Sequence, residues 1–198
     1  MIVGDPSEFA IESGISAAYE EHSLFALGFF RIHIAGHGFG VHAADATALG
    51  CSFSEVRRRI SSRGTHNAPF ASELEAAVVA DAAYSACYAT APAPEPSLGL
   101  SPEEVRNLVY RNELLWAPDG DEAFDDGSFV LQFDVGDRVR LIGFQGNSDY
   151  RHVQGTLTQV WLRGDRFYEL LQEWLEKFNA QWKAAKKVRG TIERSESK

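Results

Sequence analysis

Two cysteines, one methionine and seven prolines are all that the 198 residues hold of these types. Cys51 and Cys87 lack the Cys-x-x-Cys spacing, which excludes a disulfide framework and a cysteine-rich zinc site. They read as small apolar core residues. Long hydrophobic runs are absent too: stretches such as Leu24 to Phe30 fall far short of the ~20 residues that a membrane-spanning helix needs. The opening Met1-Ile2-Val3 is followed at once by Gly4, Asp5 and Pro6, so neither the basic nor the apolar region of a secretory signal is in place. The expectation is a cytoplasmic protein with no membrane partner. Positive charge is scarce, with 19 Lys and Arg against 28 Asp and Glu and a net charge of -9. Binding along a phosphate backbone needs a basic face, so a general nucleic-acid binder is not expected. Gly-x-Ser-x-Gly does not occur, and Gly36-His37-Gly38-Phe39-Gly40 lacks the Lys-Ser/Thr of a phosphate loop. A tight hairpin explains those glycines.

What is present is the composition of one globular core, 44% hydrophobic and 12% aromatic. We read residues 1–187 as a single domain and 188–198 as a charged, frayed tail. Met1 to Val3 forms a strand inside a sheet, stopped by the Gly4-Asp5-Pro6 turn. Leu24 to Ile34 alternates as a half-buried strand does and turns at Ala35 to Gly38 into a hairpin. Ser52 and Glu55 have the spacing of a capping box for a short helix. A helix is expected from Ala71 to Ala89, then an extended Pro-Ala connector. Ser101, Pro102 and Glu104 mark the clearest helix start. Phe129 to Phe133 and Arg138 to Phe144 form a second hairpin, and Gly155 to Leu162 adds a strand. A long closing helix carries Phe167, Leu170, Leu171, Trp174, Phe178 and Trp182 on one stripe. The class is α+β: an antiparallel sheet of hairpins packed on one face by helices, with a long C-terminal amphipathic helix.

Several constellations invite a chemical reading. His33, His37 and His42 fall within ten residues with Asp45 close by, and facing strands could bring such groups to a metal. Ordinary strand and turn histidines are the plainer account. Asp119-Gly120-Asp121-Glu122 opens like a calcium loop, but Ala123, Phe124 and Val130 stand where a ligand, the turn glycine and the bidentate glutamate belong. No metal and no cofactor are expected. Arg57-Arg58-Arg59 is a solvated helix face. Charge is distributed unevenly, with fourteen carboxylates against two arginines from His66 to Asp137. Asp119, Asp121, Glu122, Asp125 and Asp126 could therefore meet a basic partner surface. Trp116, just ahead of that run, and Tyr110 before it are candidates for an aromatic contact; the alternative for both is core packing.

In the order of its segments the chain resembles the immunity protein 42 family of bacterial polymorphic toxin systems. The residues that carry the resemblance are Met1-Ile2-Val3-Gly4-Asp5-Pro6 with Phe9-Ala10-Ile11, the Leu27 to Ile34 strand and its glycine turn, Leu141-Ile142-Gly143-Phe144, and Phe167-Tyr168 with Trp174 and Trp182. The Ala-rich stretch and the Pro-Ala connector depart from the family's more polar centre. The resemblance implies a non-catalytic inhibitor that binds a cognate toxin domain and occludes it, and the acidic surface suits a toxin that is basic and nuclease-like. A monomer or weak homodimer is expected. The alternatives are a small metal-dependent hydrolase using His33, His37 and Asp45, and a self-associating module joined through the last helix.

Overall fold

The computed structural model describes residues 1–20, 26–72, 75–90, 98–116 and 122–188. Its strands are β1 (Ile2–Asp5), β2 (Phe9–Tyr19), β3 (Ala26–Ile34), β4 (His37–Phe39), β5 (Thr47–Ala48), β6 (Ser128–Val135), β7 (Arg138–Gln145), β8 (Thr158–Arg163) and β9 (Lys187–Val188). The helices are α1 (Leu49–Ser61), α2 (Ala76–Tyr88), α3 (Pro102–Arg111) and α4 (Gly164–Ala184), with a 3-10 turn at Glu122–Phe124. The α+β class read from the sequence holds, and α4 is the expected C-terminal helix. The hairpins, however, divide between two sheets.

The first sheet is built on the β2–β3 hairpin, in which Phe9 pairs with Ile34 and Ser13 with Phe30. Short strands line its two edges: β1 and the parallel β9 lie against β2, and β4 and β5 against β3. Met1 to Val3 therefore runs along an edge and not inside the sheet. Along β3 the residues alternate strictly between buried and half-buried, as expected of a sheet with one covered face. Gly28 lies at the crossing of the hairpin, where a methyl group would collide with the carbonyl oxygen of Gly14 and with Leu49. The Gly4-Asp5-Pro6 turn closes β1 onto β2. Gly4 takes φ +102, and Asp5 Oδ1 accepts hydrogen bonds from the amide and hydroxyl of Ser7 at 2.9 and 2.7 Å. Those two bonds hold the Asp5 carboxyl below the usual carboxylate range.

The second sheet, in the order β6-β7-β8, is apolar on both sides. Val130, Val139, Leu141 and Leu162 join the first core, with the inner face of the first sheet, α1 and α4. Leu131, Phe133, Ile142 and Phe144 join a second core under α2 and α3. Burial on both faces explains why Leu141 to Phe144 reads as an unbroken apolar run and not as an alternating one.

The helix boundaries show where local signals hold. At α3 the capping box forms as read, with Ser101 Oγ accepting from the Glu104 amide and the Glu104 carboxylate accepting from the Ser101 amide. At α1 it does not: the helix begins at Leu49, Ser52 is buried inside it, and the N-cap has no side-chain hydrogen bond. Glu55 reaches forward to Arg58 and Arg59 instead. Helix α2 starts at Ala76, later than expected; Leu74 and the Pro-Ala connector at 91–96 lie outside the described residues. Cys51 is exposed, not a core residue.

A buried polar chain joins the layers. Arg59 is fully buried, which corrects the reading of Arg57-Arg58-Arg59 as a solvated face, and it donates to Glu55 Oε1 at 2.7 Å, to Gln132 Oε1 at 3.1 Å and to the Leu115 carbonyl at 2.7 Å. Gln132 Nε2 donates to the Tyr168 hydroxyl at 3.0 Å, and Tyr168 donates to Asp134 Oδ1 at 2.8 Å. Asp134 Oδ2 in turn accepts from the amide of Gly64 at 2.7 Å. Gln132 and Asp134 are two residues apart on β6 and so share a face. Burial, the neighbouring Asp134 charge and the hydrogen bond to it push the Tyr168 hydroxyl pKa far up, so the ring stays a neutral donor. The chain ties α1 and α4 to the second sheet through partners on α1, β6, α4 and the segments after α1 and α3.

Candidate functional site

The acidic turn after α3 begins from a sequence with no aliphatic residue between Asp119 and Gly127 other than Ala123. Ala123 is fully buried, and its carbonyl accepts from the Val41 amide at 2.7 Å. Phe124 sets its ring edge-on to Phe30, with centroids 6.4 Å apart. Asp126 Oδ1 accepts from the Ser128 amide at 3.0 Å, while Ser128 Oγ accepts from the Gly40 amide at 3.1 Å and from Gln145 Nε2 at 3.0 Å. The turn is thus fastened to the segment after β4, to β6 and to β7. Glu122, Asp125 and Asp126 remain exposed. Among the described residues no Lys, Arg or His forms an ion pair with any of the three. Fixed carboxylates without an internal cation make a standing negative potential at this end of the second sheet. Asp119 and Asp121 lie outside the described residues.

The aromatic candidates separate. Trp116 is 2% exposed, which corrects its reading as a surface contact. The chain after α3 turns inward, with the Trp116 amide donating to the Val130 carbonyl at 2.9 Å. The Arg59 guanidinium lies over the indole at 4.4 Å from the ring centre. A buried guanidinium is favoured by a flat π face, and Trp116 supplies it. The tryptophan therefore belongs to the first core, with its ring stacked on that of Phe30 at 6.4 Å. Tyr110 is 38% exposed on α3, in the layer of the second core, apart from Trp116 in the first. Ser128 and Gln145, which hold the turn, were not singled out in the sequence; a serine directly after Asp-Asp-Gly was the available signal.

The histidines do not converge. His33 Nε2 lies 2.9 Å from Glu12 Oε2 on the neighbouring strand. Burial works against ionisation of Glu12, but the hydrogen bond and charge of His33, with His42 and Arg31 adding theirs, hold its carboxyl below the usual carboxylate range. His37 is exposed, with Nδ1 3.4 Å from the carbonyl of Ala35 in its own turn. The exposed His42 sets its ring against Phe29 with centroids 4.5 Å apart. Among the described residues no three His, Cys, Asp or Glu side chains are grouped to hold a metal ion.

The class of protein with which this α+β chain compares is that of the immunity proteins. Residues 1–177 match the family model described as Immunity protein 42. The chain belongs to that family. In fold it is similar to a solved structure described as the crystal structure of CdiI from Burkholderia dolosa AUO158. That similarity has a TM-score of 0.54 at 17% identity and covers 89% of this chain and 99% of that one. No curated protein matches the sequence. No helix among the described residues is long and apolar enough to cross a membrane.

Proposed function

We propose that this protein neutralises a cognate toxin domain by binding and covering it, without catalysis, in the cytoplasm of the cell that makes it. The observation that supports this reading most directly is the acidic turn, whose backbone is fastened on three sides while Glu122, Asp125 and Asp126 face solvent unpaired. Together with Asp119 and Asp121 they suit a basic toxin surface of the kind that handles nucleic acid. Tyr110 contributes from α3 at the margin, Trp116 packs in the core ahead of the turn, and the protein acts as a monomer or weak homodimer. The competing reading, a hydrolase built on His33, His37 and Asp45, is opposed by His33 being engaged with Glu12 and His37 with its own turn.

The test is growth of cells expressing the toxin domain encoded beside this gene, with and without this protein, followed by co-purification of the pair. Rescue together with a stable complex is the expected result; toxicity without rescue or binding rejects the reading. Charge reversal at Asp121, Glu122 and Asp125 is expected to slow association about tenfold at low salt and to flatten its salt dependence, with dissociation less affected. Stopped-flow or surface-based binding kinetics at two ionic strengths measure this. Unchanged association rates would remove the turn from the binding surface.

A further inference from the structure

Beside the acidic turn stands a second feature that the sequence did not single out. The Gly146 amide donates to the Gly127 carbonyl at 2.9 Å, and Gly146 bridges to His152. This joins the residue that follows Asp125 and Asp126 to the loop between β7 and β8. That loop is rigid. Asn147 Oδ1 accepts from the amides of Asp149 and Arg151 at 2.9 and 3.1 Å, and the Asn147 amide donates to the Arg151 carbonyl at 3.0 Å. Tyr150 is held there at φ +59, a conformation that is unfavourable for a bulky residue.

Helix α2 meets the loop with one face. Asp81 Oδ1 accepts from the His152 amide at 2.8 Å and lies 2.7 Å from His152 Nδ1. One turn on, the Tyr84 hydroxyl donates to the Asn147 carbonyl at 3.1 Å, and its ring stands 6.0 Å from that of Tyr150. A side chain at Gly146 would overlap the Tyr84 ring, so the glycine is what lets the tyrosine lie down on the strand end. Val78 and Val153 flank the Asp81–His152 contact and are 37% and 38% exposed. Two half-buried tyrosine rings, two exposed valines and the exposed Asp125 and Asp126 thus share one end of the second sheet.

We infer that the toxin is gripped at this junction, by the acidic turn and the Tyr84–Tyr150 wall acting together, and that what it presents is a basic, arginine- or lysine-bearing protein surface. The inference rests on the immunity reading. Carboxylates attract a cation, and the tyrosine rings at the same end of the sheet give the partner's side chains a flat surface to stack on. The chain uses the same pairing internally, where Arg63 lies 5.0 Å from the Tyr168 ring centre and Arg138 lies 5.2 Å from that of Trp161. Tyrosines with a rigid backbone lose little conformational freedom on binding, which is why such residues dominate binding energy. Arg151 and Asp149 are both exposed in the same loop, so the loop tip itself carries no net charge and the negative charge of this end comes from Asp125 and Asp126.

The experiment is titration of the purified toxin domain into the wild-type protein and into Tyr150→Ala, Val153→Lys and, on the exposed face of α4, Glu169→Lys, with urea unfolding of each to confirm the fold. Tyr150→Ala and Val153→Lys are expected to raise Kd by about 30-fold or more, chiefly through faster dissociation. Glu169→Lys should stay within about threefold of wild type. Wild-type-like affinity of both loop variants, with the toxin still bound, overturns this surface and leaves immunity standing. No binding by the wild-type protein sinks the immunity reading and this surface with it.

Discussion

Replacing Arg59 by alanine is expected to cost about 3–5 kcal/mol of folding stability, a large share of the ~5–15 kcal/mol typical of a domain. The side chain is fully buried and donates to three acceptors on three different segments. Burial pulls the guanidinium pKa down, and the facing Glu55 charge works in the other direction; ion pair and hydrogen bonds together keep the cation in place. Truncation leaves the Leu115 carbonyl and Gln132 Oε1 without their donor and opens space over the Trp116 indole, whose Nε1 already finds no hydrogen-bond partner among the described residues. Glu55 keeps only the half-exposed Arg58. Urea unfolding should show a lower midpoint with an unchanged slope. Because the pair is shielded from water, the deficit should persist in high salt, unlike that of a surface ion pair. Arg59→Met, which fills the volume without burying a charge, should lose distinctly less. Equal losses for the two variants would mean that the polar contacts, and not the filled volume, are what Arg59 provides.

Trp174→Ala is expected to be as damaging, at about 3–5 kcal/mol. The indole is fully buried on α4. It stacks on Phe178 with centroids 5.2 Å apart and planes 16° from parallel, and meets Phe30 of β3 edge-on, also at 5.2 Å. Its Nε1 donates to the hydroxyl of Ser13 on β2 at 3.0 Å. One side chain therefore joins the C-terminal helix to both strands of the central hairpin. Trp174→Phe retains most of the apolar volume but strands the buried Ser13 hydroxyl, so a smaller loss of about 1–3 kcal/mol is expected. Pairing Trp174→Phe with Ser13→Ala should recover part of that loss, which thermal unfolding of the two single variants and the double variant would measure.

What could be read from the sequence depended on how far each signal had to reach. The capping box at Ser101 involves residues three apart and forms as read. The same pattern at Ser52 fails because Glu55 is claimed by Arg59, whose other partners come from β6 and from the segment after α3. Trp116 looked exposed because proline and carboxylates follow it; the cation that draws it inward lies 57 residues earlier in the chain. The stripe on α4 was legible since every residue of it faces one core. The second sheet was legible as strands but not as a layer between two cores, because an apolar run records burial and not which neighbour provides it. Of the candidate site, the carboxylates of the turn stood out by composition. Their neighbours Tyr84, Asn147, Tyr150 and His152 did not, since only the β6–β7 pairing brings 127 beside 146 and only α2 packing brings Asp81 to His152.

A sheet covered on both faces also has consequences for how the molecule opens. Strand β7 is flanked by β6 and β8 and touches both cores, so its backbone amides reach solvent only when the whole domain unfolds. Helices α2 and α3 rest on one side of it alone and can lift away while the other side stays intact. In native-state hydrogen exchange, the amides of Leu141 and Ile142 should therefore report the global unfolding free energy, and those of Val79 and Val109 a lower one. The layer that carries half of the tyrosine wall would then be the layer that yields first, and a bound partner should slow exchange there most.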